Sequence, residues 1–171
     1  MVVEKTKLGY EGIFPLKDLV AAIKDWAKSN KYSYFEKLHQ EILVPEGKHI
    51  EIKIESKKSF TDYATSIISI KLSGKEIKDK IVERAKKKVK LQEGKLELVF
   101  EGNLDMVWEK KWEIPEGKPP LIYLFVIFYI LKRAFEKYIF SSEVEALKAK
   151  VKEDTLSLKN LIAAFLNLYK I

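Results

Sequence analysis

The chain carries two histidines, His39 and His49, and one strand-like stretch that puts polar groups among aromatic ones. Along Tyr32, Tyr34, Glu36, Leu38, Gln40 and Ile42 the residues share one parity. Glu36 and Gln40 therefore fall on the same strand face as large apolar neighbours. A carboxylate on a buried face needs a partner or a raised pKa. If that face lines a cavity, these are the convergent polar groups expected among apolar walls. Met106, Trp108 and Trp112, from a second alternating strand, would floor it. The expected ligand-binding set is thus Tyr32, Glu36, Gln40, Met106, Trp108 and Trp112. The two histidines flank an expected hairpin, with no third ligand at metal spacing, so no metal site is expected. The seven glycines are scattered and form no phosphate-cradling loop, and no nucleophile sits beside a base. No catalytic residue and no cofactor is expected, which leaves an enzyme as the least supported class.

The other chemistry is charge. Across 171 residues, 32 basic side chains oppose 25 acidic ones, a formal net charge of +7. Between Lys71 and Lys95 ten basic residues meet four acids, so nearly all of the excess lies in one stretch. Its centre is a basic patch of Lys80, Arg84, Lys86, Lys87, Lys88 and Lys90. Such a patch suits phosphates or an anionic membrane surface. With one arginine and no aromatic between Lys75 and Lys95, nucleic acid ranks behind the plain structural role of a charged sheet edge. All but two of the basic residues are lysine, and cysteine is absent. Lysine and glutamate enrichment with few amides fits a heat-adapted, thermophilic source. The lack of cysteine and of an apolar leader in Met1–Tyr10 suits a cytoplasmic protein.

The elements that must position these groups follow from periodicity. Val2–Phe14 reads as a strand. Pro15 then opens a helix whose stripe is Leu16, Leu19, Val20, Ile23, Trp26 and Ala27. Strands are expected over Tyr32–Val44, around Ile50, Ile52 and Ile54, and over Asp62–Leu72, with turns at Pro45–Lys48 and Ser73–Gly74. Ile77–Glu83 and Lys88–Leu91 are read as two short strands joined near Ala85–Lys86. Gln92–Lys95 then turns into a long strand, Leu96–Trp112, with even positions apolar and Gly102 marking a bulge or bend. Leu121 to about Phe140 is expected to be helical. Its apolar run, Leu121–Leu131, is eleven residues, short of the ~20 needed to span a bilayer. In the final helix Val144, Leu147, Val151, Leu158, Leu161, Phe165 and Leu168 form a near-heptad seam, with Asp154 its one polar substitute.

These elements make an α+β fold: a curved antiparallel meander of six to seven strands, one helix after the first strand, and two C-terminal helices on one face. Residues 1–140 form the domain, and 141–171 pack back on it or form an oligomer seam. The element order resembles the helix-grip arrangement of START-like domains, a curved sheet wrapped around a long C-terminal helix. Element order alone carries that resemblance, over Val2 to about Phe140, and it brings no ligand or catalytic residues. The function expected is a non-catalytic binding domain, with an apolar groove or cavity for a hydrophobic small molecule or a partner helix. The alternatives are a homo-oligomeric scaffold built on the C-terminal seam, or lysine-patch binding to nucleic acid or an anionic membrane.

Overall fold

The computed structural model describes residues 1–84, 87–106, 130 and 141–169, with backbone alone for 82–84 and 87–89. Those residues form an α+β fold of a five-stranded antiparallel sheet and two helices. Strand β1 (Val2–Phe14) leads through Pro15 into helix α1 (Leu16–Ser29). Strands β2 (Ser33–Val44), β3 (Gly47–Thr61), β4 (Ala64–Arg84) and β5 (Lys87–Met106) then run as a meander. Helix α2 (Ser141–Asn167) comes last. The spatial order is β1-β5-β4-β3-β2, so α1 carries the chain from one edge strand to the other.

Alternation decides which face is dry. Ile50, Ile52 and Ile54 of β3, Ile68, Ile70 and Leu72 of β4, and Leu96, Leu98 and Phe100 of β5 are all buried on one face. Onto it α1 lays Leu19, Ile23, Trp26 and Ala27, and α2 lays Leu158, Ile162 and Leu166, forming one core. Pro15 opens α1 as its sequence position requires. The freed Leu16 N–H finds a partner far along the chain, donating to the Gln92 side-chain oxygen at 3.1 Å.

The strand count differs from the expected six to seven, because two expected turns are not turns. β4 runs through Ser73–Gly74 and β5 runs through Gln92–Lys95 without reversing. What lies there is a bulge: the β4–β5 register shifts between Lys75 and Lys78, and Glu76 takes a left-handed φ of 55°. Glycines on both neighbouring strands make room for it. A Cβ on Gly47 of β3 would stand 2.9 Å from the Glu76 carbonyl carbon, and one on Gly94 of β5 3.0 Å from the Lys75 oxygen. Turn-type residues therefore mark a crease across the sheet, where a glycine allows close backbone approach as readily as it allows reversal. The two short strands read at Ile77–Glu83 and Lys88–Leu91 are the outer ends of β4 and β5, paired up to Arg84 and Lys87.

Gly102 is also reassigned. It stays in register opposite Ile68, and a Cβ there would run into Thr155 Oγ1 and lie 3.1 Å from Val151 Cγ1. Its missing side chain lets α2 lie directly on the sheet. The local irregularity sits in the neighbouring strand, between Val2 and Glu4 of β1.

In α2 the buried stripe is Val151, Thr155, Leu158, Ile162 and Leu166. Of the expected seam, Val151 and Leu158 belong to it, Val144 and Leu147 are partly buried against a second small cluster, and Phe165 packs on the main core. Leu161 and Leu168 are 40% and 73% exposed. A straight helix repeats at 3.6 residues rather than 3.5, so the stripe drifts off a heptad register within two or three turns. Within the segment 141–171, read as packing back on the domain or forming an oligomer seam, Leu158, Ile162 and Leu166 join the same core as α1. The expected helix from Leu121 to Phe140 and the apolar run within it lie outside the described residues, Ile130 apart. Among the described residues no helix is long and apolar enough to cross a membrane.

Candidate functional site

The six residues expected to line one pocket are not brought together. Tyr32 is buried where α1, β4 and α2 meet, stacked on Trp26 with ring centroids 5.4 Å apart. Its hydroxyl donates to Asp154 Oδ2 at 2.7 Å, which uses its only proton. Ser66 Oγ, 3.0 Å away, must therefore donate to Tyr32. Burial first, and then the neighbouring carboxylate, holds the Tyr32 phenol well above its ordinary range. Asp154, the polar intruder in the seam, is thus the acceptor of a buried phenol that pins α2 to the sheet. Only the pairing of distant elements reveals this, although Tyr32's inward parity was a signal.

Glu36 is exposed on edge strand β2, beside two groups of its own strand. The Tyr34 hydroxyl lies 3.4 Å from Glu36 Oε2, and His39 Nδ1 lies 3.0 Å from Oε1. Burial, with Glu36 adding its negative field, pushes the Tyr34 phenol up to about 12. Gln40 does not share this face. The β2–β3 register shifts between Glu36 and Leu38, after which His39 and Glu41 stand opposite Ile52 and Ile50, while Gln40 stands opposite Glu51. One extra residue reverses parity from that point on. His39 sits between Glu36 and Glu41, whose Oε1 is 3.5 Å from Nε2. His49 stands opposite Ile42 and does not join it. Among the described residues no group of three such side chains is placed to hold a metal ion. Met106 packs at the other end, against the small cluster of Ala64, Leu104 and Val151. Trp108 and Trp112 lie outside the described residues.

The expected basic patch occupies a distinct place. β1 pairs with β5 only as far as Phe14 opposite Gln92, and β3 pairs with β4 only as far as Lys48 opposite Ile77. Beyond the crease β4 and β5 stay paired from Lys78 and Glu93 to Arg84 and Lys87, and from Lys80 and Leu91 onward they pair with each other alone, as a two-stranded ribbon. Lys80, Ile81 and Lys90 are exposed on it, and Leu91 near its base is buried. Arg84, Lys87 and Lys88 hold register positions toward its end, and Lys86 lies outside the described residues. Two acids at the base are already engaged: Asp79 Oδ2 accepts from Lys48 Nζ at 2.6 Å, and Glu93 Oε2 from Lys80 Nζ at 3.0 Å. The Lys48 hydrogen bond holds Asp79 below the usual carboxylate range, and Asp79 in turn raises the Lys48 ammonium. Along 80–84 and 87–91, five basic residues then face one acid, Glu83.

The same end shows apolar side chains that periodicity did not single out. At the close of β2, Ile42 is 51% and Leu43 79% exposed, and Ile81 on the ribbon is 64% exposed. Leu43 pairs with Lys48, and Lys48 with Ile77, so these strand ends share one level at the foot of the ribbon. An open cleft of about 620 Å³ at the crease is lined by Glu11, Glu46, Glu76, Lys78, Glu93 and Lys95. Its walls are charged, unlike those of an apolar ligand site.

The rest of the sheet's outer face is a lattice of shared charges. Glu51 lies 3.4 Å from Lys53 and 3.2 Å from Lys71, Glu55 lies 2.9 Å from Lys57 and 3.7 Å from Lys37, and Glu101 lies 3.2 Å from Lys5. These lysines hold Glu51, Glu55 and Glu101 below the usual carboxylate range, with Asn103 the first contributor at Glu101.

Comparison with known proteins adds no function. No family model and no curated protein matches the chain. Among solved structures, it aligns with one described as an uncharacterized protein from Bacillus thuringiensis. That alignment spans 95% of this chain and 99% of the other at 13% identity, with a TM-score of 0.23, too low to carry an argument about fold or function.

Proposed function

We propose that this chain is a non-catalytic binding domain that engages a polyanionic surface through the ribbon formed by the outer ends of β4 and β5. The observation that carries the reading is the contrast in charge pairing. On the body of the sheet Glu51 and Glu55 are each shared by two lysines, whereas along 80–84 and 87–91 the sequence sets five basic residues, Lys80 among them bound to Glu93 at the base, against the one acid Glu83. An excess of lysine over acid in a short ribbon supplies a local field that attracts dense negative charge. The helix-grip likeness is compatible with this, since the long last helix lies across the sheet. An apolar cavity beneath α2 does not carry the proposal, because Val151, Leu158, Ile162 and Leu166 are buried there at 1% exposure or less.

The test is retention on heparin across a salt gradient. Lys87→Glu/Lys88→Glu is compared with Lys17→Glu/Lys28→Glu on the exposed side of α1, an equal change in net charge. Binding through the ribbon predicts at least tenfold weaker binding for the first pair and little change for the second. Equal losses in both would reduce the effect to overall charge and overturn the reading.

A further inference from the structure

From the apolar side chains at the ribbon's foot we infer that its partner is an anionic lipid bilayer; this rests on the ribbon being the binding element. Phosphate-rich polymers and acidic bilayers both attract lysine, so charge alone does not separate them. Three observations do. First, Ile42, Leu43 and Ile81 are 51%, 79% and 64% exposed at the end that carries the lysine-rich ribbon. Ile81 lies four residues beyond Ile77, about 13 Å along the strand, and Ile77 stands at the level of Lys48 and Leu43. Second, a phosphate backbone offers these side chains nothing, while the acyl boundary of a bilayer rewards each buried apolar group. Third, from Lys78 to Glu93 there is no aromatic, serine, threonine or asparagine, and one arginine. The one amide, Gln92, is committed to the start of α1. Stacking platforms and base-edge readers are therefore missing from the ribbon.

Geometry favours joint engagement of both parts. Ile42 and Leu43 are consecutive at the end of an edge strand, so they point to opposite faces of the β2–β3 hairpin tip. The turn itself carries the exposed Glu46, so the apolar contact rests on the two flanks of the tip and leaves that carboxylate at headgroup level. Lys48, which faces Leu43 and binds Asp79, ties that tip to the foot of the ribbon. Apolar insertion and lysine attraction thus act at one end of the sheet and reinforce each other.

Vesicle co-sedimentation tests this at about 100 mM salt, where screening spares only near-surface charge. Phosphatidylcholine vesicles are compared with vesicles containing 30% phosphatidylserine, and a 30-base-pair duplex is titrated in parallel. The protein is expected to partition onto the acidic vesicles and not the neutral ones. Lys87→Glu/Lys88→Glu should lower partition by at least about 25-fold, at about fivefold per basic residue removed. Ile42→Ser/Leu43→Ser should lower vesicle partition on the order of tenfold and leave heparin retention unchanged. Because the chain has no cysteine, Leu43→Cys carrying an environment-sensitive dye gives a second readout, expected to shift to the blue on acidic vesicles alone. Duplex binding without vesicle binding, or vesicle partition unaffected by the apolar variant with no dye shift, overturns the bilayer assignment and leaves the polyanion reading standing. Loss of heparin retention in the unmodified protein instead removes the polyanion reading itself.

Discussion

The middle of the sheet and its ribbon end are built from the same residue types and differ in how those residues are satisfied. In the middle, lysine and glutamate alternate across strands, Glu51 and Glu55 each serve two ammonium groups and Glu101 one, while the other face is sealed by α1 and α2. At the ribbon end the neighbouring strands have stopped, the acids near the base are engaged by Lys48 and Lys80, the sequence beyond them is mostly basic, and Ile81 is exposed. Composition is shared and charge balance is not, which is why the proposed binding element is the second region.

If the middle is structural, its packing should dominate stability. Leu158, fully buried between α2 and the sheet, is the strongest probe. Leu158→Ala should cost about 3 kcal/mol in urea unfolding and leave heparin retention of the folded protein intact. A parallel loss of binding in protein that is still folded would erase the division.

A smaller effect is expected at the latch between the two layers. Tyr32→Phe removes the proton donated to Asp154 and should cost about 1 kcal/mol near neutral pH. The Tyr32 phenol is raised in the folded state, so the unfolded phenol ionises first, near pH 10, while the folded one stays protonated. That drives unfolding as pH climbs above 10 and does nothing below it. Thermal melts should therefore fall more steeply above pH 10 for the unmodified protein than for Tyr32→Phe. Matching slopes would mean that the phenol is not the group being held.

The least change is expected on the outer lattice. Glu51 is shared by Lys53 and Lys71 and open to solvent, so Glu51→Gln should give no resolvable shift in the unfolding midpoint. A clear shift would show that the outer charges hold the sheet together and blur the contrast with the ribbon.

Much of this was legible in the residue order. The strand alternation through Ile50, Ile52, Ile54 and Leu96, Leu98, Phe100 identified the buried face correctly, and Pro15 with its downstream stripe placed α1. Parity failed at β2, where the extra residue near Lys37 turns Gln40 away from the face it shared with Tyr34. A bulge leaves no composition signal, so its effect on all later residues is invisible without a partner strand. Glycine-containing turn signals failed at Gly74 and Gly94 for a related reason. A small residue permits both reversal and close approach, and only the strand alongside determines which occurs.

The chain's own order was enough to establish an antiparallel sheet with one dry face, helices to cover it and a concentrated basic stretch, because each follows from period and composition. Tertiary structure alone decided that five strands carry that sheet among the described residues, that Asp154 meets Tyr32, and that the basic stretch shares an end with Ile42 and Leu43. Those facts depend on register between residues far apart in the chain, and local periodicity holds no information about which distant positions will face each other.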